Sequence, residues 1–458
     1  MNFKQFYLGC LAHASYYIGS NGEAAIVDPQ RDIDEYLAEA KARNQIIKYV
    51  IETHLHADFV GGHSELARKT GAQVVFGAKA NAAFEHLAVK DGDELTIGDV
   101  KLKILETPGH TPEGISIIVE DTASAGEPKK VLTGDTLFIG DVGRPDLVGS
   151  KGFTAEQMAG FLYDSLHEKL LKLSDDTEVY PAHGAGSLCG KNMSKETWST
   201  IGVQKKLNYA LAPMLKTDFV KMLTENLPEM PTYFSQSVAK NRAGASVLAD
   251  LPKPEAMSAR EVRDFEGLIL DVRGADEFGA GHVPNSLNIG LGGQFASWAG
   301  TLIEAETPIV VVAESEEKVE ETVVRLARVG IETVRGFLKN GISAWTDAEF
   351  EAAEIKQISV EEMNEHLAEN VDLQFIDVRR SGEFESGRVP KTKNLTLSNL
   401  DKLNVKLDSS RPTFVICQGG YRSSAATSIL ERQGFKKLYN ISGGTAAWIK
   451  AGLETEKV

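Results

Sequence analysis

The stretch "THLHADFVGGH", residues 53–63, places three potential metal ligands at every second position. They are His54, His56 and Asp58, and Phe59 follows where a further ligand could stand. Imidazole and carboxylate groups bind transition metals, so the spacing indicates a metal site. A phenylalanine ring has no lone pair, so Phe59 itself cannot bind a metal.

Four strand-like runs of the first region end in a residue that binds metals. The runs are rich in β-branched residues, and "DIDEYLAEAKARN" (32–44) and "HSELARKTG" (63–71) indicate helices between them. "KYVIET" leads to His54, "KILETPG" to His110, "KVLTG" to Asp135 and "EVYPA" to His183. Ligands at the ends of neighbouring strands can converge on one rim of a sheet, so the pattern predicts one metal centre there.

The motifs HxHxD, "TPGHTPEG", "GDTLF" and "YPAHG", in this order, resemble the metallo-β-lactamase superfamily. The resemblance covers roughly the first half of the chain and implies an αββα sandwich, which we assign to residues 1–242. In the binuclear hydrolases of that superfamily a second-metal histidine usually follows the Asp. This chain has Phe59 there, so the resemblance implies a mononuclear site.

The run "GDTLFIGDVGRPDL" (134–147) is similar to the persulfide dioxygenases. That similarity implies one Fe(II) per chain, held by His54, His110 and Asp135, a set that leaves coordination positions open for O2 and a substrate sulfur. The similarity further implies that three residues around the ligands orient them or relay protons. These residues are His56, Asp58 and His183. The alternative is that they are relics of a binuclear ancestor.

The thiol that carries the persulfide is left open by the sequence. Arg144, in "GRPD", matches the family position that contacts the carboxylate of the thiol cosubstrate, although Asp146 could pair with it instead. Glutathione-using members commonly carry a tyrosine where this chain has Ala185, so glutathione, coenzyme A and other small thiols all stay open. Cys189, six residues beyond His183, is a candidate for sulfur handling at the metal site or else an inert buried cysteine.

Beyond a predicted linker at residues 243–256 the chain repeats itself. "LILDVRGADEFGAGHVPNSLNI" (268–289) returns as "QFIDVRRSGEFESGRVPKTKNL" (374–395), and "NGISAW" returns as "SGGTAAW". Each copy alternates strands and helices, which predicts two small parallel-sheet α/β domains at residues 257–350 and 356–458.

A cysteine loop follows a buried-strand run in "TFVICQGGYRSS" (413–424). Backbone N–H groups of such a loop and the N-terminus of the next helix stabilise an anion on Cys417, and Arg422 adds a positive charge. With "DVR", "EF..G.VP" and "GG..AW" the segment resembles a rhodanese domain, in which the cysteine carries sulfur as a persulfide. The predicted sulfur-anion loop consists of Gln418, Gly419, Gly420, Tyr421 and Ser423.

The first copy of the repeat lacks this chemistry. Aligning the two copies places Ala313 opposite Cys417 and Lys318 opposite Arg422. The run "AESEEK" has no nucleophile and no glycine, and its glutamates repel sulfur anions. We therefore expect the middle domain to be catalytically inactive and to serve as a spacer or docking surface.

The composition of the chain restricts the kinds of partner that it can bind. A formal charge of −16 over 458 residues argues against nucleic acid and anionic membranes, and no apolar run is long enough to span a bilayer. Three distant cysteines imply no disulfide framework and fit the cytoplasm. We expect Cys10 to lie in a first strand within the core, and the chain to form a homo-oligomer.

The combined expectation is an enzyme that oxidises a low-molecular-weight thiol persulfide with O2 to sulfite and exchanges sulfur between sulfite and thiosulfate through Cys417. Two alternatives remain open at this point. One is a binuclear thioester hydrolase of the glyoxalase II kind, which would activate water with two metals. The other is a sulfur-carrier module in which the metal domain is a relic.

Overall fold

The computed structural model describes residues 1–124, 126–147, 152–225, 227, 230–369, 373–400 and 407–457. The chain divides into two compact units. One unit comprises Met1–Leu251 with Ala327–Gly330, and the other comprises Pro252–Leu326 with Ile331–Val458. Among the described residues, no helix combines the length and the apolar character needed to cross a bilayer.

The first unit contains two mixed sheets. In the first sheet the strands follow one another in chain order, and they are β1 (Asn2–Leu8), β2 (His13–Ser20), β3 (Glu23–Val27), β4 (Ile46–Ile51), β5 (Gln73–Gly77) and β6 (Leu87–Val89). The second sheet has the order β12-β11-β10-β9-β8-β7, from β7 (Glu94–Ile97), β8 (Val100–Glu106), β9 (Ile115–Asp121), β10 (Lys130–Gly134), β11 (Glu178–Pro181) and β12 (Ser199–Thr200).

Helices accompany both sheets of this unit. They are α1 (Asp34–Ala42), α2 (His63–Thr70), α3 (Ala155–Asp164), α4 (Ile201–Leu207), α5 (Lys216–Thr224) and α6 (Phe234–Ala243). Short 3-10 or π turns lie at Ser165–Lys169, Leu170–Lys172, Tyr209–Leu211 and Leu248–Asp250.

The core of the first unit lies between the two sheets. Because strand side chains alternate between faces, Tyr16 and Ile18 of β2 pack with Leu102 and Ile104 of β8 in the central cluster. Tyr17 points the other way and packs with α1 and α2. Residues of β9, β10 and β11 that face away from the centre pack with α3 and α5. Helices thus cover both outer faces, which confirms the expected αββα sandwich.

The predicted position of Cys10 was wrong. Strand β1 ends at Leu8 and β2 begins at His13, with these two residues paired across an antiparallel hairpin. Cys10 lies in the connecting turn and is partly exposed. The turn was not predicted because the residues around Cys10 form a hydrophobic run that contains no proline.

Both ends of the predicted linker at residues 243–256 have regular structure. Ala243 is the last residue of α6, and a strand over Glu255–Met257 already pairs in parallel with the strand Val334–Leu338 of the middle domain. The segment between these ends contains only the short turn Leu248–Asp250 as regular structure among its residues, all of which the structure describes. The domain boundaries themselves stay predictions.

The middle domain has a sheet that is parallel throughout, with the order β13-β17-β16-β14-β15. Its elements are β13 (Glu255–Met257), α7 (Ala259–Arg263), β14 (Leu268–Asp271), α8 (Ala275–Ala280), β15 (Leu287–Asn288), α9 (Phe295–Leu302), β16 (Ile309–Val312), α10 (Glu316–Ala327), β17 (Val334–Leu338) and α11 (Ile342–Asp347).

The C-terminal domain repeats this topology with the order β18-β22-β21-β19-β20, again parallel throughout. Its elements are β18 (Lys356–Ile358), α12 (Val360–Ala368), β19 (Gln374–Asp377), α13 (Ser381–Ser386), β20 (Lys393–Asn394), the turn Leu397–Asn399, β21 (Thr413–Ile416), α14 (Tyr421–Arg432), β22 (Leu438–Ile441) and α15 (Gly444–Lys450). Two parallel-sheet α/β domains are therefore confirmed.

The duplication extends to buried side chains. In the middle domain the Arg273 guanidinium donates to both carboxylate oxygens of Asp271 and to the carbonyl of Gly281. Arg379 makes the same contacts with Asp377 and Gly387 in the C-terminal domain. Each pair lies where the first central strand ends, so "DVR" is a structural feature of both copies.

Candidate metal centre and sulfur-binding loop

Three of the predicted ligands lie at one rim of the sandwich. His54 follows β4, His110 follows β8 and Asp135 follows β10. One donor atom from each lies within 4.8 Å of the other two, and all three side chains are buried. Asp135 Oδ2 is 3.7 Å from His54 Nε2 and 3.4 Å from His110 Nε2. The strand ends thus bring two imidazoles and one carboxylate together.

The hydrogen bonds of the two imidazoles fix which ring nitrogen faces the centre. His110 Nδ1 lies 2.9 Å from the carbonyl oxygen of Arg144, which can only accept, so Nδ1 carries the proton. His54 Nδ1 lies 2.9 Å from the Thr53 hydroxyl, which itself donates to Asp28. Both Nε2 lone pairs are therefore left for a metal, as in most metal-binding histidines.

This donor set fits a divalent transition metal. Two neutral imidazole nitrogens and one carboxylate oxygen are the ligands that suit Fe(II) with open positions. Burial lowers the pKa of His54 and of His110, which keeps both rings in the neutral form that coordinates metals. Burial would raise the pKa of Asp135, but the imidazoles of His183 and His54 outweigh it and hold that pKa well below its usual range.

His183 connects two carboxylates beside this set. Its Nδ1 lies 2.8 Å from Asp135 Oδ1, and its Nε2 lies 2.8 Å from Asp58 Oδ2. Burial lowers the pKa of His183, but the two carboxylates outweigh burial and raise it to about 10. His183 therefore orients Asp135 while Asp58 holds the far side of the ring.

His56 is held away from the triad by two acids. Its Nε2 lies 3.1 Å from Asp28 Oδ1 and 3.3 Å from Glu52 Oε2, all buried. Burial lowers the pKa of His56, but Asp28 and Glu52 outweigh it and raise that pKa well above its usual range. The ring still lies close to His54, with 4.1 Å between the ring centroids.

Phe59 is fully buried among these rings. Its ring centroid lies 4.2 Å from that of His13, 4.4 Å from that of His56 and 6.4 Å from that of His183. The phenyl group thus fills space beside His56 and His183 without offering a donor.

A second set of donors is nevertheless present. His56, Asp58 and His183 also place one ligand atom each within 4.8 Å of one another, and Asp135, His183 and Cys189 do the same. The expectation that a second cation is poorly held therefore depends on the lack of a donor at Phe59, and it stays a prediction.

Cys189 lies at the rim of the metal centre. Its thiol is buried and belongs to the donor set that it forms with Asp135 and His183. Burial, reinforced by Asp58 and Asp135, raises the pKa of the Cys189 thiol well above its usual range. The predicted role in sulfur handling stays a prediction, and it would involve the protonated thiol.

Arg144 is buried and pairs with Asp146. Its Nε and Nη2 lie 2.6 Å and 2.7 Å from the two carboxylate oxygens, a bidentate pair. The backbone beside it packs on the ligands so closely that a β-carbon at Gly143 would collide with the carbonyl oxygen of Asp135. Binding of a substrate carboxylate by Arg144 stays a prediction, with Asp146 as the competing anion.

Sequence reasoning missed residues that support the centre, among them Asp28 and Asn241. Asp28 accepts from the backbone N–H and the hydroxyl of Thr53, and it follows β3 just as the ligands follow their strands, so the strand-end pattern could have found it. Asn241 on α6 donates to the carbonyls of His56 and Phe59 and accepts from Gly61 N–H, each at 2.8 Å. No local pattern marks Asn241, because its partners lie about 180 residues away.

The sulfur loop of the C-terminal domain surrounds a buried cysteine. Cys417 follows β21, and its Sγ accepts from the backbone N–H of Gly420 at 3.1 Å and from the Ser423 hydroxyl at 3.4 Å. Gln418 and Gly419 are exposed at the tip, and Gly420 adopts φ 94°, which favours glycine.

Helix α15 supports this loop from the other side. Thr445 N–H donates to the Cys417 carbonyl at 2.8 Å, and Ala446 N–H donates to the Gln418 carbonyl at 3.0 Å. A β-carbon at Gly444 would collide with the Cys417 carbonyl oxygen. The glycines of the "SGG" segment therefore let the start of α15 pack directly against the loop. In the sequence this segment served only as one of the rhodanese motifs.

Arg422 is held beside the loop by Glu383 of α13. Nη1 and Nη2 of Arg422 lie 2.6 Å and 2.8 Å from the two carboxylate oxygens. Burial raises the pKa of Glu383, but Arg422 outweighs it and lowers that pKa below its usual range. The hydroxyl of Tyr421, the next residue of the predicted loop, donates to the carbonyl of Gly290.

The matching loop of the middle domain has no sulfur nucleophile. Ala313 follows β16 as Cys417 follows β21, and α10 begins with Glu316 and Glu317. The structure therefore places a methyl group and acidic side chains where the C-terminal domain has its cysteine and glycines.

Known families match each region. The model of the metallo-beta-lactamase superfamily matches residues 8–183, and that of the rhodanese-like domain matches residues 255–348 and again 359–451. A crystal structure of a metallo-beta-lactamase from Staphylococcus aureus subsp. aureus COL covers 74% of this chain and 98% of that one, at 30% identity and a TM-score of 0.67.

Curated relatives share the first domain. The human persulfide dioxygenase ETHE1, mitochondrial, is 31% identical over 47% of this chain and 78% of its own length. The cytoplasmic hydroxyacylglutathione hydrolase of Arabidopsis thaliana is 37% identical over 39% of this chain and 67% of its own length. A beta-lactamase hydrolase-like protein of Xylella fastidiosa, 27% identical, is spanned over only 58% of its length. The chain therefore belongs to the metallo-beta-lactamase superfamily as a homologue of the persulfide dioxygenases, and two rhodanese-like domains follow its superfamily domain.

Proposed function

We propose that the first domain oxidises the persulfide of a small thiol with O2 at one Fe(II) per chain. The reaction balances as R–S–SH + O2 + H2O → R–SH + SO3²⁻ + 2 H⁺. The observation that carries the proposal is the buried triad of His54, His110 and Asp135, whose donor atoms lie within 4.8 Å of one another. The similarity to persulfide dioxygenases supports the same chemistry.

His54, His110 and Asp135 would hold the iron, which would supply redox chemistry with O2. The chain's own residues orient the triad: the Arg144 carbonyl and the Thr53 hydroxyl hold the two imidazoles by Nδ1. His183 holds the carboxylate of Asp135 and could pass a proton to Asp58 on its other side. Burial of the centre excludes bulk water and strengthens these electrostatic contacts.

We further propose that Arg144 binds the carboxylate of the carrier thiol. The guanidinium is planar and bidentate, as carboxylate recognition requires, and it follows the segment that supports His110. Asp146 occupies the guanidinium in this structure, so an incoming carboxylate has to displace or share that partner. Whether the thiol is glutathione or coenzyme A is left to experiment.

In the C-terminal domain we propose sulfur transfer through a persulfide on Cys417. A second thiol persulfide first loads the cysteine, R–S–SH + Cys–S⁻ → R–SH + Cys–S–S⁻. The transfer step is then Cys–S–S⁻ + SO3²⁻ → Cys–S⁻ + S2O3²⁻, so the sulfite from the first domain leaves as thiosulfate. Gly420 N–H and the Ser423 hydroxyl contact Sγ and stabilise the thiolate that is released. The reverse step loads Cys417 from thiosulfate, and the relative concentrations set the direction.

The test uses protein purified without oxygen, analysed for metals and supplied with glutathione persulfide or coenzyme A persulfide in an oxygen electrode. We expect about one iron per chain and O2 uptake with at least one persulfide. His110→Ala should abolish O2 uptake and spare sulfur transfer from thiosulfate to cyanide. Cys417→Ser should do the opposite and stop thiosulfate formation from persulfide. Unchanged thiosulfate yield in Cys417→Ser would contradict the coupling of the two reactions.

A second candidate is a binuclear thioester hydrolase. The second donor set at His56, Asp58 and His183 favours it, as does the 37% identity with a hydroxyacylglutathione hydrolase. It predicts two zinc ions per chain and cleavage of S-acyl thiols without O2 uptake. The lack of a donor at Phe59 argues against it, and the same metal analysis separates the two candidates.

A further inference from the structure

Helix α14, which carries the N-terminal turn beneath Cys417, has an unusual buried face. Four hydroxyl side chains on this helix are at most 1% exposed: Ser423, Ser424, Thr427 and Ser428. A buried hydroxyl has to find a hydrogen-bond partner or it destabilises the protein. Thr427 and Ser428 donate to carbonyls of their own helix, while Ser423 donates toward Cys417 and the Gly420 carbonyl.

The remaining bonds of this face reach the middle rhodanese-like domain. The Ser424 hydroxyl donates to Asn288 Oδ1 at 2.6 Å, and Asn288 N–H donates to the Ser428 hydroxyl at 3.0 Å. Asn288 is fixed in its own domain, because its Nδ2 donates to the carbonyls of Asp271 and Arg273. One asparagine thus ties two turns of α14 to the end of β14.

Both ends of α14 have contacts of the same kind. At its first residue, the Tyr421 hydroxyl donates to the Gly290 carbonyl at 2.8 Å, and a β-carbon at Gly293 would lie 3.3 Å from the Tyr421 ring. At its last turn, Glu431 Oε2 accepts from Asn285 N–H and lies 3.2 Å from His282 Nε2. The middle domain therefore contacts α14 along its length.

These contacts are not a by-product of the duplication. In the middle domain the positions that match Tyr421, Ser424 and Ser428 are Glu317, Glu320 and Val324, so α10 could not make them. The C-terminal counterpart of Asn288 is Asn394, which keeps the two bonds inside its own domain. Within the described part of the domain, its Oδ1 receives a 3.4 Å contact from Ser381.

The tied turn is the one that contacts the sulfur. The Gly420 N–H contacts Sγ at 3.1 Å, and the Ser423 hydroxyl contacts it at 3.4 Å. Gly420 directly precedes Tyr421, and Ser423 directly precedes Ser424. A shift of this turn by about 1 Å would take both groups beyond hydrogen-bond distance of the sulfur.

We propose that the middle domain positions the sulfur loop, with Tyr421–Gly290 and Ser424–Asn288 as the contacts that set the N-terminal turn of α14 against Cys417. Tyr421, Ser424 and Asn288 are positioning residues, since the hydrogen bonds of their side chains go to each other or to backbone carbonyls rather than to Sγ. The inference rests on the proposed sulfur transfer at Cys417, and it gives the inactive copy of the repeat a role in that reaction.

The test compares full-length Tyr421→Phe, Ser424→Ala and the double variant with the wild type. The matched control is Thr427→Val, which removes a buried hydroxyl that bonds only within α14. Two quantities are measured: kcat/KM for transfer from thiosulfate to cyanide, and the pH profile of alkylation of the Cys417 peptide by iodoacetamide, read by mass spectrometry. The alkylation profile needs no sulfur transfer and therefore separates failure of this inference from failure of the proposed function.

We expect the double variant to lose about tenfold in kcat/KM, the effect of two lost hydrogen bonds, and to shift its alkylation profile to higher pH. Each single variant should show part of this loss, and Thr427→Val should change neither quantity. A double variant that melts at a lower temperature but keeps both quantities would overturn the proposal, because the middle domain would then only stabilise the fold. If the double variant does not fold, an unchanged alkylation profile in Tyr421→Phe decides against it.

Discussion

The ring of Phe59 lies against the imidazoles of His13 and His56 and is completely shielded from solvent. Burial lowers the pKa of His13 to about 3, so that ring is neutral and packs on the phenyl group as an aromatic neighbour. Phe59 thus occupies a position where a metal ligand could stand, but it packs as an apolar core residue.

Replacing Phe59 with histidine should therefore restore a donor to the second set. In Phe59→His we expect the metal content with zinc or cobalt to rise from about one to about two ions per chain. Persulfide-dependent O2 uptake should fall, because the second cation competes for Asp135. The measurement is metal analysis after equilibrium dialysis, with Phe59→Leu as the control that removes the ring without adding a donor. Equal metal contents in these two variants would refute the idea.

At the level of residues, the candidate metal ligands could be predicted from the sequence better than the residues that hydrogen-bond to them. His54, His110 and Asp135 could be found because each ends a recognisable strand. Arg144 shows the opposite case: its bidentate bond to Asp146 was foreseen only as the alternative to substrate binding. A local pattern identifies the type of side chain, whereas its partner depends on how distant segments pack.

Among the elements, α6 holds in place the loop of residues 56–61, which we call the metal loop, although the two are far apart in the sequence. Asn241 uses both its amide nitrogen and its oxygen to hold residues 56–61, and it is 2% exposed. In Asn241→Ala three hydrogen bonds are lost at about 0.5–1.5 kcal/mol each, so the free energy of unfolding should fall by about 2–4 kcal/mol. Amide hydrogens of residues 56–61 should exchange faster, and iron should bind more weakly.

Hydrogen exchange by mass spectrometry and chelator competition measure these effects. Gln236→Ala, on the exposed face of the same helix, is the matched control and should change neither. Exchange and iron affinity that stay at wild-type values in Asn241→Ala would show that the loop holds its shape without α6.

Elements with a clear period were predicted well, and those without it were not. The run "HSELARKTG" became α2, which ends at Gly71 with φ 73°, because a left-handed C-cap favours glycine. The first strand was predicted as one continuous run, but the chain turns between Leu8 and His13. Helix α6 buries Phe234, Ser237 and Asn241 on one face, and two of these three residues are polar, so no hydrophobic period marks the helix in the sequence.

On the scale of the whole chain, the two proposed reactions share one polypeptide. A tether raises the effective concentration of one site near the other, to the extent that the linkers span the gap. An equimolar mixture of His110→Ala and Cys417→Ser contains both intact sites on separate chains. At low enzyme concentration this mixture should release more free sulfite and less thiosulfate than the same concentration of wild-type sites.

The measurement is a time course of sulfite and thiosulfate from persulfide, followed by chromatography of the trapped products. Raising the enzyme concentration should bring the mixture toward the wild type, because encounters between chains then suffice. Identical product ratios at every concentration would mean that sulfite reaches Cys417 only through bulk solvent.

The support of the Cys417 loop by the backbone N–H groups of Thr445 and Ala446 makes the chain sensitive to a premature stop codon. A truncation before residue 443 would preserve the predicted metal ligands, Cys417 and Arg422. It would still remove the helix that fixes the cysteine carbonyl. Such an allele would encode a polypeptide that keeps the cysteine motif but lacks the support of α15, so genotyping by the cysteine motif alone would misjudge the phenotype.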